Sequence, residues 1–286
     1  MKKNGFFQRL IAWLGRNRLA VAALAMVCIT TLAVWVAHER AKTIPPQTPP
    51  EVTILRPPVQ PERPAAALPR IAIVIDDVGM DEKLVQEAID LPPQITLSFF
   101  PYAPHVQRDV DAAKEAGHEV FMHVPMQAMG GEDPGPGALR VGMNDDELRA
   151  AIEKNLSSFS GYDGVNNHMG SRFTADEHAM RLFMEAVKKR GVMFLDSRTS
   201  VMTKGEMLAV ELGVPAIRRH VFLDNEIDEE AITAQFHTML KMADHQRVVV
   251  AIAHPHHISL ATLARLLPYL KGKYELVPIS TVIKAP

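Results

Sequence analysis

The residues of this chain that could do acid–base or metal chemistry recur in one setting, directly after short apolar runs. Asp76 and Asp77 close the run in "IAIVIDDVG", and His123 lies in "FMHVPMQ". Asn166, Asn167 and His168 fall in "GVNNHMGS". Asp196 and Arg198 follow in "FLDSRTS", Asp224 and Asn225 in "FLDN", and His254 and His256 in "IAHPHH". One carboxylate with two neutral imidazoles is a common protein complement for a catalytic zinc, with a position left open for water. A second carboxylate can take the proton of an attacking water. The expected assignment is therefore Asp77, His123 and His168 for a divalent metal, most simply zinc. Asp76 is then the base, and His254 the acid for a leaving group.

The other residues are given supporting roles. Asp196 and Arg198 are expected to orient a catalytic group as a hydrogen-bonded pair. Asn167, Asp224 and His256 complete the supporting or substrate-binding set. Side chains alternate along a strand, so one aspartate of the doublet should enter the site and the other point beside it. The two would repel unless a cation or hydrogen-bond donors stood between them. Taken alone, the doublet fits a cap on the following helix equally well. His118, in "AGHEV", is expected to hydrogen-bond within its own turn. Met122, Met126 and Met129 show no regular ligand spacing and are read as core rather than as a copper site.

Alternating elements must position these residues. Strands are expected near 71–75, 95–99, 119–124, 163–168, 192–196, 219–223, 247–253 and 275–279. Helices are expected near 82–89, 104–116, 145–158, 175–190, 229–244 and 260–270. Two capping boxes mark helix starts, Asn144 with Glu147 and Thr174 with Glu177. Gly191 stands where a left-handed C-terminal cap belongs. Alternation of this kind predicts a parallel sheet covered by helices. About seven such units in residues 70–286 predict an α/β distorted (β/α) barrel, with a doubly wound open sheet as the alternative. Both architectures collect chemistry at the C-terminal ends of their strands, where the residues above lie.

The N-terminal part differs in kind. Residues 19–37, "LAVAALAMVCITTLAVWVA", carry no charge, and Lys2, Lys3, Arg9, Arg16 and Arg18 precede them. Nineteen residues at about 1.5 Å each match a bilayer core, so 1–42 is read as a basic cytoplasmic end plus a transmembrane signal-anchor. Residues 43–69 hold nine prolines, which predicts an extended tether reaching on the order of 80 Å. This places the chain in the inner membrane as a single-pass protein, with residues 70–286 in the periplasm or outside the cell. A formal net charge of −2 offers nucleic acid no attractive field. The single cysteine, Cys28, excludes an intrachain disulfide.

The motifs "IAIVIDDVG", "FMHVPMQ", "GVNNHMGSRFT", "FLDSRTS", "VFLDN" and "AHPHHISLATLARLLPYL" occur in an order that resembles the divergent polysaccharide deacetylase family. The resemblance covers essentially residues 70–286. It implies a distorted (β/α) barrel that hydrolyses N-acetyl groups on a sugar polymer, with a double Asp supplying base and metal ligand. In the wider superfamily two histidines of an H-x-x-x-H motif complete the metal site. Here Gln127, not histidine, lies four residues after His123. The resemblance therefore makes His168, on the next strand end, the substitute. The Arg-Pro motif of the superfamily is missing at that strand, and His220 stands where relatives more often carry Asp.

Two functions of different class follow. One is a metal-dependent deacetylase acting on an envelope glycan. The other is a non-catalytic envelope module that keeps the fold to bind glycan or a protein partner. A phosphoryl-transfer reading of the doublet lacks any phosphate-cradling glycine motif.

Overall fold

A computed structural model of the chain describes residues 5, 9, 13–42 and 67–283. The chain divides into two units, Met1–Arg63 and Pro64–Pro286. In the first, helix α1 (Arg18–Lys42) takes up the uncharged run. Among the described residues no helix is long and apolar enough to cross a membrane. The expected spanning helix is therefore not found among them, and the side chains of 18–25 lie outside them. Of the proline-rich stretch, residues 43–66 also lie outside them.

In the second unit, nine strands form one sheet: β1 (Arg70–Val78), β2 (Thr96–Phe99), β3 (Val120–Met126), β4 (Gly164–Met169), β5 (Met193–Asp196), β6 (Ala216–Arg218), β7 (Val221–Phe222), β8 (Val248–Ala253) and β9 (Glu275–Leu276). Their order is β6-β5-β4-β3-β2-β1-β8-β7, with β9 also on β1, and every pairing is parallel. This is one more than the eight strands expected, because 216–218 forms a strand of its own beside the anticipated one. The helices are α2 (Glu82–Ile89), α3 (Val106–Glu115), α4 (Asp145–Leu156), α5 (Glu177–Arg190), α6 (Gly205–Leu212), α7 (Glu229–Gln246) and α8 (His257–Leu266). Helix α6 was not anticipated from the sequence.

The sheet curves into a parallel half-barrel rather than an open doubly wound sheet, and the packing shows why. Outward residues such as Ile71, Ile73 and Ile75 join the side chains of the helices in one large core. Inward residues form a second, small core: Ala72 and Val74 of β1, Phe121, Leu195, Val250 and Ile252. Val277, Ile279 and Val282 of the C-terminal segment fill its floor. Helices thus cover one face only, as a barrel requires. The ends of the sheet, β6 and β7, do not pair, yet only Arg219 and His220 separate them in sequence. The Arg219 amide donates to the Asp196 carbonyl (2.9 Å) and the His220 amide to the Val250 carbonyl (2.8 Å), so these two residues span the seam.

Local signals behave as chain chemistry dictates, with two corrections. Asn144 and Glu147 form their capping box, and Gly191 caps α5 at φ 68°. Helix α5 is capped by Asp176 instead of Thr174, whose hydroxyl donates to the Gly170 carbonyl. His118 is buried and bridges two other segments, facing the Ile95 carbonyl at 2.8 Å and the Ile89 carbonyl at 2.9 Å.

Candidate metal centre

The inward series of the strands continues upward into polar residues. Period-two alternation carries Ala72 and Val74 to Asp76, Phe121 to His123, and Val250 and Ile252 to His254. Asn166 pairs with His123 across β3 and β4, and His168 follows two positions later. A layer of ionisable groups therefore lies directly on an apolar floor.

Asp77 should face away from Asp76 by that alternation. It does not, because the strand bulges between Ile75 and Val78 and Asp77 takes φ 57°. This left-handed conformation in a non-glycine residue is uncommon and marks sites where geometry is over-determined. It turns both carboxylates toward one imidazole. His123 Nε2 lies 3.1 Å from Asp77 Oδ1 and 3.7 Å from Asp76 Oδ2. His168 Nδ1 lies 2.9 Å from the same Asp77 oxygen and 3.2 Å from His123 Nε2.

Three ligand atoms thus form a triangle with sides of 2.9, 3.1 and 3.2 Å. Ligands about 2.0–2.2 Å from a tetrahedral zinc stand roughly 3.3 Å apart, so the triangle has a fitting size. Asp77, His123 and His168 form the metal-competent group found among the described residues. Asp77 Oδ1 is buried with no hydrogen-bond partner, an arrangement that is expensive without a cation. The donor set and the orphaned oxygen both fit a divalent metal.

Electrostatics agree. Burial opposes ionisation of Asp77, yet the two imidazoles hold its carboxyl far below the usual carboxylate range. Burial disfavours charge on His123, but Asp76 and Asp77 outweigh it and push its pKa up. Asp76 is pushed up by its own burial, which the two nearby histidines, His123 and His254, only partly offset.

Across the mouth, His254 Nδ1 donates to Asp224 Oδ1 at 2.9 Å. Asp224 Oδ2 accepts from the His254 amide at 2.7 Å and from the Ser259 hydroxyl at 2.8 Å. Burial alone would lower the His254 pKa; Asp224 first, then Asp76 and Asp77, raise it to about 9.

The match of residues 73–283 to the model of the divergent polysaccharide deacetylase family decides the kinship. The chain belongs to this family. As a divergent polysaccharide deacetylase it is similar to YibQ of Escherichia coli (strain K12), 31% identical over 76% of this chain and 68% of YibQ. A protein of Haemophilus influenzae is 32% identical over 73% of this chain and 74% of its own length. Among solved structures, ATU2773 of Agrobacterium tumefaciens C58 superposes with a TM-score of 0.74 at 28% identity, covering 77% of this chain and 91% of that one. A putative cellobiose-phosphate cleavage protein of Enterococcus faecalis V583 shares the fold at 13% identity and TM-score 0.55, covering 76% of this chain and all of its own.

The remaining candidates in this family member make the following contacts. Asn167 points out of the barrel and ties a loop: its Oδ1 accepts from the Ser197 amide (3.0 Å) and its Nδ2 donates to the Met169 carbonyl (2.7 Å). Asp196 organises the turn after β5, accepting from the Arg198 amide, the Thr203 hydroxyl and the Glu206 amide. A Cβ on Gly205 would sit 2.6 Å from Asp196 Oδ2, so only glycine fits there. The expected Asp196–Arg198 side-chain pair is thus a contact to the Arg198 backbone. His256 is exposed at the start of α8, with its ring 6.4 Å from that of His254. Gln127 accepts from the Val141 amide (2.9 Å) and belongs to a loop tie.

Sequence reasoning placed Asn166 at a strand end but gave it no role, and did not single out Phe100 or Arg219. Phe100 packs its ring 4.9 Å from His168 and 5.4 Å from His123, walling the triangle. Parity was the signal for Asn166: it shares a face with His168, whereas Asn167 does not.

Proposed function

We propose that this chain is a metal-dependent hydrolase that removes N-acyl groups, acetyl foremost, from an envelope glycan. The observation that carries the reading is the triangle of Asp77, His123 and His168 around an unsatisfied carboxylate oxygen, with Asp76 beside it. A divalent cation held there, zinc by its donor set, supplies Lewis-acid polarisation of an acyl carbonyl and a lower pKa for water.

The chain's own groups do the rest. Asp76, desolvated and fixed by one amide N–H, takes the proton of the attacking water. His254, protonated below about pH 9, delivers a proton to the departing amine as the C–N bond breaks. Asp224 holds the imidazolium through Nδ1 and keeps Nε2 free for that transfer. The products are a free amine on the sugar and the carboxylate.

Action on an envelope polymer would go with anchorage through the uncharged run 19–37, which is part of this proposal. Met26, Val27, Ile29, Leu32, Val34 and Trp35 leave helix α1 with exposed apolar side chains. The proposed location is the inner membrane, with residues 70–286 beyond it.

Release of acetate from N-acetylglucosamine oligomers by the purified, zinc-loaded full chain tests the reaction, with Asp76→Asn as the comparison. Acetate release that persists after complete metal stripping, or in Asp76→Asn, would sink it. Binding of the oligomers without hydrolysis would identify a glycan-binding module on the same fold.

A further inference from the structure

Asn166 is fully buried and lies between the two halves of the proposed chemistry. Its Oδ1 accepts from the Ser98 hydroxyl at 2.7 Å and faces His123 Nδ1 at 2.9 Å. Its Nδ2 donates to Asp76 Oδ1 at 2.7 Å and to the Ser197 hydroxyl at 3.2 Å. A carboxamide has two donor hydrogens and two acceptor lone pairs, and here all four are used.

That saturation fixes the amide. The NH₂ edge of Asn166 is the one that faces Asp76 Oδ1 and the Ser197 hydroxyl. The carbonyl edge then faces His123 Nδ1, which must carry the ring proton. The lone pair of His123 consequently lies on Nε2, the atom that faces Asp77 Oδ1 and His168 Nδ1. One neutral side chain thus touches both the base and a metal-ligand candidate.

We propose that Asn166 is the positioning residue that couples the base to the metal ligands: it holds Asp76 with one edge and sets His123 as an Nε2 ligand with the other. This rests on the hydrolase reading for the role of Asp76, while the tautomer of His123 stands apart from turnover. Ligand histidines generally have their second nitrogen fixed by such a partner, and losing it weakens metal binding about 10–100-fold. Removing Asn166 also strands Asp76, Ser98 and Ser197 in a dry site.

The experiment uses the full chain loaded with zinc. Long-range ¹H–¹⁵N correlation of the imidazoles reads the His123 tautomer, chelator competition reads the zinc Kd, and acetate release from N-acetylglucosamine oligomers reads kcat and KM. Wild type should show a proton on His123 Nδ1. Asn166→Ala should weaken zinc about 10–100-fold and lose the sharp Nδ1 proton signal. Asn166→Asp keeps an oxygen facing His123 but removes the N–H that holds Asp76. It should retain zinc within about 3-fold while kcat falls on the order of 100-fold at unchanged KM.

A His123 proton found on Nε2 in the wild type overturns the proposal, and this measurement needs no variant to fold. Wild-type zinc affinity and tautomer in a folded Asn166→Ala overturn it equally. Zinc bound as described without any acetate release would remove the hydrolase reading and leave the tautomer assignment standing. No zinc binding by the wild type would remove both.

Discussion

Three imidazoles face the mouth of this barrel, and its two sides hold them in opposite ways. On the β3–β4 side, His123 Nε2, His168 Nδ1 and Asp77 Oδ1 converge within 3.2 Å, with no hydrogen-bond partner for the carboxylate oxygen. On the β8 side, each Asp224 oxygen is met by a donor from His254 or Ser259. The first arrangement leaves a buried carboxylate oxygen without a hydrogen-bond partner. The second is complete and holds a proton. On the proposed reading, one barrel mouth presents a guest site and a resident acid, and the two should respond to different insults.

The largest separation should appear in metal content. His168→Ala and Asp77→Asn should lose zinc by more than the roughly 100-fold that removal of a supporting residue costs. Asp224→Asn should keep it. Stoichiometric zinc in each purified variant, read by mass spectrometry, checks this; loss in Asp224→Asn would mean that the two sides are not separable. Next in size, His254→Ala should lower kcat by about 10²–10⁴, the range for a general acid, with zinc unchanged. A full-rate His254→Ala enzyme would remove the acid from the scheme.

A pH profile sharpens the same contrast. An acid works while protonated, and the His254 pKa is raised to about 9. The rate should therefore be fully supported by this group below pH 8 and fall as pH rises through about 9. Asp224→Asn removes the principal cause of the raised value. The alkaline limb should move downward toward the ordinary histidine range near 6.5. A limb that stays at 9 in that variant would assign it to another group.

The β8 side was the easier to read from sequence, and the reason is geometric. His254 and Asp224 end regular strands, so the rule that polar residues gather at strand ends places them directly. The β1 and β4 ends break or double that rule. Asp77 enters the site only through its φ of 57°, which no apolar pattern announces. In "NNH" the strand-end rule marks three residues, and only alternation along β4 separates inward Asn166 and His168 from outward Asn167. That alternation was available in the sequence and selects a different asparagine from the one given a role there. Helix α6 and strand β6 escaped because they are short, and because Gly205 and Pro215 interrupt the local pattern. Arg219 gave no signal at all: its partners are backbone carbonyls of a distant loop.

That arginine provides the smallest test of the comparison. Arg219 lies on the seam between β6 and β7, where no strand pairing closes the barrel. Its Nε donates to the Ser197 carbonyl at 2.7 Å and its Nη2 to the Arg198 carbonyl at 2.9 Å. Its guanidinium sits 3.6 Å from the ring centroid of Phe222, and His254 stacks on the same ring with centroids 5.8 Å apart. Burial lowers the Arg219 pKa to about 10, still charged at neutral pH. Arg219→Ala removes two charged hydrogen bonds and one cation–π contact, together about 1–3 kcal/mol of stability after solvent screening. Urea unfolding should show that loss with the denaturant slope unchanged. Zinc content should stay at the wild-type level, because no bond from Arg219 reaches Asp77, His123 or His168. The rate should fall only a few-fold, through a looser His254, roughly 1 kcal/mol by transition-state arithmetic. If zinc fell with stability, the seam would support both halves of the mouth, and the division between guest site and resident acid would be one of chemistry without being one of structure.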